Sequence, residues 1–196
     1  MRPPAITDLP LLVLCCLLAA AVLTDVRSRR IPNKLVLTGA AAGLALQTAL
    51  APGDGLFTAP FGGIGIALAL AGLGLGLALL LPMYALRAMG AGDVKLLAMI
   101  GVFVGPRAVT GIWVCTLVAG GVLALLVSLR NGTLKRMVNN SYHLMLHGVL
   151  GVVAGNAARI DAPANPSGKL PYAIALAAGT LPYLVYARVT GASLFE

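Results

Sequence analysis

Gly90-Ala-Gly-Asp-Val-Lys95 places a carboxylate in a glycine-containing turn, at the point where a strongly hydrophobic sequence resumes. A second carboxylate, Asp25, ends another apolar run. The chain has only six acidic residues in total. Because a carboxylate at the edge of an apolar helix is costly, it usually marks a functional site. Asp25 and Asp93 are therefore the first candidates for the chemistry of this protein.

The composition predicts an all-α integral membrane protein. The 196 residues are 59% hydrophobic and 10% charged, with a mean hydropathy of +0.95. A soluble domain carries about 25% charged residues. The net charge of +8 would suit nucleic acid, but the basic residues are scattered singly between apolar runs and few aromatic residues accompany them. We therefore expect no nucleic-acid partner and interpret the basic residues as topology determinants.

Six apolar stretches predict about six transmembrane helices in a single membrane domain that covers residues 1–196. The stretches are residues 9–26, 35–50, 61–86, 94–104, 108–129 and 170–186. Spanning helices need about 20 apolar residues, so the fourth stretch is short. With six crossings, however, the 14 Lys and Arg residues divide as 11 on one side and 3 on the other. The positive-inside rule then places the N-terminus outside.

This topology puts the two aspartates on the same side of the membrane. Asp25 falls at the cytoplasmic end of the first helix and Asp93 at the cytoplasmic start of the fourth, so the two carboxylates are able to meet. Residues 130–169 are predicted to form a cytoplasmic loop. Within it, residues 141–158 are apolar on balance and flanked by basic residues, which predicts an interfacial or re-entrant helix. A seventh crossing is the alternative for that segment.

A pair of carboxylates can hydrolyse a peptide bond without a metal or another cofactor. The ionised carboxylate removes a proton from water, and the protonated one polarises the scissile carbonyl. The pair shares one proton because ionising both neighbours is costly. A helix dipole disfavours an anion at the C-terminal end of the first helix and favours one at the start of the fourth. We therefore expect Asp25 to hold the shared proton.

Gly90, Gly92 and Lys95 support Asp93 in the same motif. Glycines permit a backbone path closed to other residues and let an extended substrate strand approach closely. Lys95 either attracts the ionised form of Asp93 or marks the cytoplasmic interface. We assign these three residues a supporting role at the site.

Two blocks of sequence resemble the type IV prepilin peptidases, a family of membrane aspartyl proteases with a Gly-x-Gly-Asp motif. They are Asp25-Val-Arg-Ser-Arg-Arg-Ile-Pro-Asn33 and Gly90-Ala-Gly-Asp-Val-Lys-Leu96, and Pro171-Tyr-Ala-Ile-Ala175 is similar, less specifically, to the start of the family's final helix. The resemblance implies a bacterial inner-membrane endopeptidase that removes the basic leader of prepilins at the cytoplasmic face. It implies that Asp25 and Asp93 are catalytic.

The chain departs from the larger members of that family. Those members carry a cytoplasmic insertion with paired CxxC motifs and also N-methylate the new pilin terminus, whereas here Asp25 follows the first helix directly and there is no CxxC. We expect proteolysis without methylation, as in the compact peptidases of tight-adherence (Flp) pilus systems. The expected partners are a prepilin with a basic leader and hydrophobic helix, and membrane lipid. The oligomeric state stays open.

Three other classes of protein share some of these features: a metalloprotease, a small transporter and a non-catalytic assembly protein. His143 and His147 are four residues apart but lack the Glu of HExxH, so we expect no metal site. A small ion-coupled transporter would also carry membrane aspartates, but it predicts polar residues in the middle of helices and an internal repeat. A non-catalytic pilus or secretion assembly protein would explain the helices and leave the paired aspartates unexplained. The peptidase is the favoured interpretation.

Overall fold

The computed structural model describes residues 9–57, 62–85, 89–132, 134–135, 138–139, 142 and 172–191. Five long helices make up most of this part of the chain: α1 (Leu9–Ser28), α2 (Asn33–Ala49), α3 (Gly65–Ala85), α4 (Ala91–Arg130) and α5 (Tyr172–Thr190). The predicted all-α architecture is confirmed. The predicted helix at 141–158 lies outside the described residues, except for Tyr142.

Four helices of the described part of the chain, α1, α3, α4 and α5, are long and apolar enough to cross a membrane. Their outer faces carry large apolar side chains that are well exposed, such as Leu12 (61%), Val118 (63%) and Val185 (61%). In water such a surface would favour aggregation, whereas in a bilayer it contacts lipid tails. The chain is therefore a multi-pass membrane protein.

Helix α4 breaks at Gly105. This residue has φ 80° and ψ 176°, a conformation that residues with a side chain rarely adopt, and Pro106 follows it without an N–H to continue the helical hydrogen bonds. The break divides α4 into residues 91–104 and 106–130. These two parts coincide with the fourth and fifth apolar stretches predicted from the sequence.

The chain reverses direction at this break. The Ala173 N–H at the start of α5 donates to Asp25 Oδ2, and the neighbouring Tyr172 ring lies next to Gly120, where a Cβ atom would be 3.8 Å from Cε2. Asp25 lies in the last turns of α1, and the connection that follows α1 packs against Gly92. Gly92 and Gly120 are 28 residues apart in sequence, and a continuous helix of that length would separate them by about 42 Å. Since both lie at the end of the bundle where α1 ends and α5 begins, residues 106–130 run back along residues 91–104.

The two parts of α4 pack against different helices through small residues. In the first part, Gly101 lies against Gly72 of α3 so closely that neither has room for a side chain. In the second part, Thr116 lies against Gly179 of α5, where an added Cβ would be 2.5 Å from the Thr116 hydroxyl. Close backbone approach of this kind is the usual way in which membrane helices associate. Helix α4 is thus the centre of the bundle.

A buried glutamine fixes the end of the bundle where α4 turns. Gln47, 1% exposed, donates from Nε2 to the Phe103 carbonyl, and its Oε1 accepts the Ile64 N–H at 3.0 Å. The break at Gly105 disturbs the helical partners of the Phe103 carbonyl, and Ile64 precedes the first turn of α3. One side chain therefore ties α2 to the start of α3 and to the turn within α4.

Candidate active site

Asp25 is held inside the bundle by the pattern of α1. The buried side of this helix consists of Pro10, Leu14, Leu18, Ala21 and Asp25. The spacing from Leu14 onward alternates four and three residues, which defines one stripe of a helix. Asp25 continues that apolar stripe into the last turns of α1 and is only 8% exposed. Its carboxylate therefore points toward the neighbouring helices.

The start of α5 supplies a hydrogen bond to Asp25. The Ala173 N–H donates to Asp25 Oδ2 at 3.2 Å. Ala173 is in the first turn of α5, where backbone N–H groups have no helical acceptor. A buried carboxylate would be costly without a partner, and this donor offsets part of the cost. The sequence did not identify this contact, although the stretch from Pro171 to Ala175 contains the donor.

Asp93 lies in the first turn of α4, which begins after Gly90. Its backbone N–H donates to the Gly90 carbonyl at 3.2 Å, and its carboxylate accepts a hydrogen bond from the Gly90 backbone. The side chain is half-buried. The glycine turn thus fixes Asp93 at a helix start with its carboxylate partly accessible.

The structure brings the two predicted aspartates together. The charges of Asp25 and Asp93 interact, although the two residues are 68 apart in sequence. The third aspartate of the described residues, Asp54, is exposed and lies in the connection after α2, at the other end of that helix. Only Asp25 and Asp93 can therefore form a carboxylate pair within the described part of the chain. Such a pair has the groups needed to activate water and protonate a leaving group.

The expected electrostatic difference between the two aspartates is reduced by tertiary contacts. Asp25 was expected to hold the shared proton because it ends α1. Its carboxylate, however, accepts an N–H from the start of α5, where the helix dipole favours an anion. Asp93 has a comparable donor in Gly90. The helix ends alone therefore do not decide which carboxylate is protonated. Protonation of Asp25 stays a prediction.

Gly90 and Gly92 leave room for neighbouring groups, and their backbone dihedral angles are not ones that require glycine. Gly90 has φ −79° and ψ 149°, which any residue can adopt, and an added Cβ would lie 3.3 Å from Asp93 Oδ2. At Gly92 an added Cβ would lie 3.1 Å from the Cβ of Ile31. The second glycine therefore allows the start of α4 to touch the connection between α1 and α2.

Lys95 contacts the other sequence block. Its Nζ donates to Asn33 Oδ1 at 3.0 Å, at the exposed start of α2. Of the two roles considered for Lys95, this geometry supports a place at the edge of the bundle, and its described hydrogen bond goes to Asn33. Asn33 and Ile31 belong to the first sequence block, and the sequence alone predicted no role for them. The structure gives them one, since they join that block to the start of α4.

The connection between α1 and α2 makes this junction possible by turning sharply. Arg29 has φ 54°, a left-handed conformation, and its N–H donates to the Asp25 carbonyl at 2.8 Å. A left-handed residue directly after a helix is a common way to end it. The turn carries the chain from Asp25 to Ile31 and Asn33 within a few residues. Asp25 and the contacts of Gly92 and Lys95 therefore belong to one compact region.

Comparison with known proteins gives a family match over the part of the chain that contains the candidate site. Residues 12–129, more than half of the sequence, match the type IV leader peptidase family. The chain belongs to this family. No curated protein and no solved structure gave a match. The matched region contains both aspartates, both glycines of the motif and the Asn33–Lys95 contact.

Membership of the type IV leader peptidase family has three consequences. It confirms the family predicted from the two sequence blocks. It indicates that the protein is a peptidase, which favours that interpretation over a transporter or an assembly protein. It also implies a substrate of the prepilin type. His143 and His147 lie outside the described residues, so the structure adds nothing about them.

Proposed function

We propose that this protein is a membrane aspartyl endopeptidase that removes the basic leader peptide from type IV prepilins of the Flp kind. The observation that carries the proposal is the pairing of Asp25 and Asp93. They come from separate sequence blocks and are brought together by α1, α4 and the start of α5. A buried carboxylate beside a half-buried one, in a member of a leader peptidase family, is best explained as a catalytic pair.

The chemistry follows from one proton shared by the two carboxylates. The ionised carboxylate takes a proton from a water molecule as the water oxygen attacks the carbonyl carbon of the scissile bond. The protonated carboxylate donates its proton to the carbonyl oxygen. In the second step, a proton passes to the leaving nitrogen as the C–N bond breaks, and the acid and amine products separate. Neither a metal nor another cofactor is required.

The reaction takes place at the cytoplasmic face of the bacterial inner membrane in this proposal. The six helical segments would each cross once, with the N-terminus outside and residues 130–169 in the cytoplasm. The break in α4 and the reversal of the chain there support six crossings rather than five. All of residues 1–196 would then form one peptidase domain.

The substrate would lie beside the peptidase in the membrane. A prepilin has a basic leader followed by a hydrophobic helix, and that helix would pack laterally while the leader reaches the aspartates. Arg27, Arg29 and Arg30 are exposed next to Asp25. They would repel a basic leader unless they bind lipid headgroups or acidic residues of the substrate. We propose that the product keeps an unmethylated N-terminus.

The test is cleavage of a co-expressed Flp-type prepilin by the wild-type protein and by Asp25→Asn and Asp93→Asn. Each substitution keeps the size of the side chain and removes the ability to ionise. We expect cleavage to be lost in both variants, because the pair acts as one unit. Mass spectrometry of the pilin N-terminus reports both the cleavage site and the absence of a methyl group.

Asp54→Asn is the matched control, since Asp54 is exposed and lies at the other end of α2. Its cleavage should equal that of the wild type, with all variants present in membranes at equal amounts. Persistent cleavage in either Asp25→Asn or Asp93→Asn would exclude the carboxylate-pair mechanism. A methylated product would contradict the proposal that this protein cleaves prepilins without methylating them.

A further inference from the structure

A side-chain hydrogen bond links the two sequence blocks that carry the aspartates. Lys95 Nζ donates to Asn33 Oδ1 at 3.0 Å, between positions that are 62 residues apart in sequence. Lys95 follows Asp93 by two residues in α4, and Asn33 is the first residue of α2. The bond therefore ends within one helical turn of a candidate catalytic carboxylate. Neither Lys95 nor Asn33 takes part in the bond making and breaking described above.

Lys95 does not face Asp93 on α4, because side chains two positions apart on a helix do not meet. Its long stem reaches instead to the start of α2, where Nζ meets the Asn33 amide oxygen. A lysine ammonium has donors and no acceptor, so an oxygen is the partner that it requires. The bond therefore holds the helix start that carries Asp93 and leaves the carboxylate itself free for chemistry.

The connection from Asn33 back to Asp25 is short and held at both ends. Asn33 is eight residues after Asp25. At the α1 end, the Arg29 N–H donates to the Asp25 carbonyl at 2.8 Å. At the α2 end, Pro32 has φ −62°, the value its ring imposes, and its carbonyl accepts the Leu35 N–H at 3.1 Å. These restraints keep Asn33 at a nearly fixed position relative to Asp25.

The start of α4 meets this connection on both sides of Asp93 in sequence. Before Asp93, an added Cβ at Gly92 would lie 3.1 Å from the Cβ of Ile31. After it, Lys95 is bonded to Asn33. A packing contact of the first kind resists only closer approach, whereas a hydrogen bond also resists separation. The two contacts together limit movement of Asp93 in both directions.

We propose that Asn33 and Lys95 are a pair of positioning residues: their hydrogen bond holds the start of α4, and with it Asp93, in place relative to Asp25. Because both side chains are exposed, water replaces the bond when either partner is removed, and the loss of overall stability is small. The effect falls on the alignment of the carboxylates, to which a reaction rate is far more sensitive. This inference rests on the proposed peptidase function.

Two single substitutions break the bond with little change of size. Lys95→Met removes the ammonium, and Asn33→Leu removes the amide oxygen. In full-length proteins purified in detergent, we expect each to lower kcat for cleavage of a purified Flp-type prepilin about tenfold, less than the roughly 10²-fold loss that a misplacement of 1 Å can cause. KM should stay within a factor of about two, because the pair acts on the chemical step. The unfolding temperature should not change.

The double variant tests whether the two residues act through one bond. Lys95→Met combined with Asn33→Leu should have the kcat of the single variants, about tenfold below the wild type rather than about 100-fold, because the second substitution finds the bond already broken. Asn33→Asp keeps an acceptor oxygen and should retain most of the wild-type kcat.

Lys34→Met is the matched control. Lys34 is exposed and adjacent to Asn33, so this variant loses the same charge at the same end of the bundle. Its kcat and KM should equal those of the wild type. An equal loss of kcat in Lys34→Met would mean that positive charge in this region matters, and it would overturn the role of the bond.

The remaining outcomes distinguish this proposal from the proposed function. An equal loss of kcat in the single and double variants, at unchanged KM and unfolding temperature, supports the positioning pair. Wild-type kcat in either single variant, a multiplied loss in the double variant, or a rise in KM alone overturns it, even when Asp25→Asn and Asp93→Asn are inactive. If those two aspartate variants still cleave, the proposed function itself fails.

Discussion

Gly92 lies where the two sequence blocks are in close contact. A methyl group there would lie 3.1 Å from Ile31 Cβ, so Ile31 or the start of α4 would have to move by a few tenths of an ångström. Asp93 is the next residue in the chain. We expect Gly92→Ala to lower the rate of prepilin cleavage about tenfold, because small displacements of reacting groups have large effects on rate. A cleavage assay in membranes measures the change.

Gly74→Ala provides the comparison for this prediction. Gly74 lies on α3 with nothing within 4 Å of an added Cβ, so this variant should cleave at the wild-type rate. The double variant Gly92→Ala with Ile31→Gly removes the opposing Cβ and the rest of that side chain, and it should recover much of the lost activity. If Ile31→Gly brings no recovery, the contact between the blocks is not the reason for glycine at position 92.

The sequence identified the residues whose chemistry is unusual for their surroundings. Asp25 and Asp93 were visible because carboxylates are rare in an apolar chain, and their topology predicted that they meet. The contacts of Asn33 with Lys95 and of Ala173 with Asp25 were not predicted. Each joins positions distant in sequence, 62 residues for the first pair and 148 for the second. The donor in the second pair is a backbone N–H, which no residue type reveals.

At the level of helices, the break in α4 depends on a side chain from α2. Gln47 is buried and makes hydrogen bonds to Phe103 and Ile64, so Gln47→Leu leaves a buried carbonyl and a partly buried N–H without their partner. Unsatisfied buried groups cost about 1–3 kcal/mol each. We expect this variant to have a clearly lower free energy of unfolding, measured by denaturation in detergent.

Two observations check this prediction. Thr48→Ala changes the neighbouring exposed residue, whose hydroxyl donates to carbonyl groups of α2 itself among the described residues, and this variant should have nearly wild-type stability. The folded fraction of Gln47→Leu should keep its cleavage rate, because Gln47 is 14 residues along α2 from Asn33, about 21 Å from the aspartate end. Equal stability of Gln47→Leu and the wild type would show that water or another group replaces the side chain.

Hydrophobicity predicted the positions of the helical segments, and the distribution of Lys and Arg predicted that the fourth and fifth run in opposite directions, but neither predicted which helices the two parts of α4 pack against. The stretches at 94–104 and 108–129 were separated because Gly105, Pro106 and Arg107 interrupt the apolar sequence. Whether such an interruption bends a helix or reverses it depends on what packs on each side. Here Gly101 packs on α3 and Thr116 packs on α5. These contacts join different helices, so the hydrophobic periodicity of a single segment cannot predict them.

For the whole molecule, the reversal at Gly105 decides on which side of the membrane α4 ends. If residues 91–104 and 106–130 each cross once, Asn131 lies on the same side as Asp25 and Asp93. Residues 91–104 span only about 21 Å as a helix, so the bilayer must thin there or the aspartates must lie below its surface. A single crossing by a straight α4 would instead place Asn131 on the opposite side.

Single cysteines distinguish the two topologies. In a variant whose three native cysteines are replaced by serine or alanine, we introduce Asp54→Cys or Asn131→Cys and label intact cells with a membrane-impermeant maleimide. We expect Asp54→Cys to react in intact cells and Asn131→Cys to react only after permeabilisation. Both variants must still cleave prepilin, so that the labelled protein is the folded one. Labelling of Asn131→Cys from outside would mean that α4 crosses once, and the proposed six-crossing topology would then have to be abandoned.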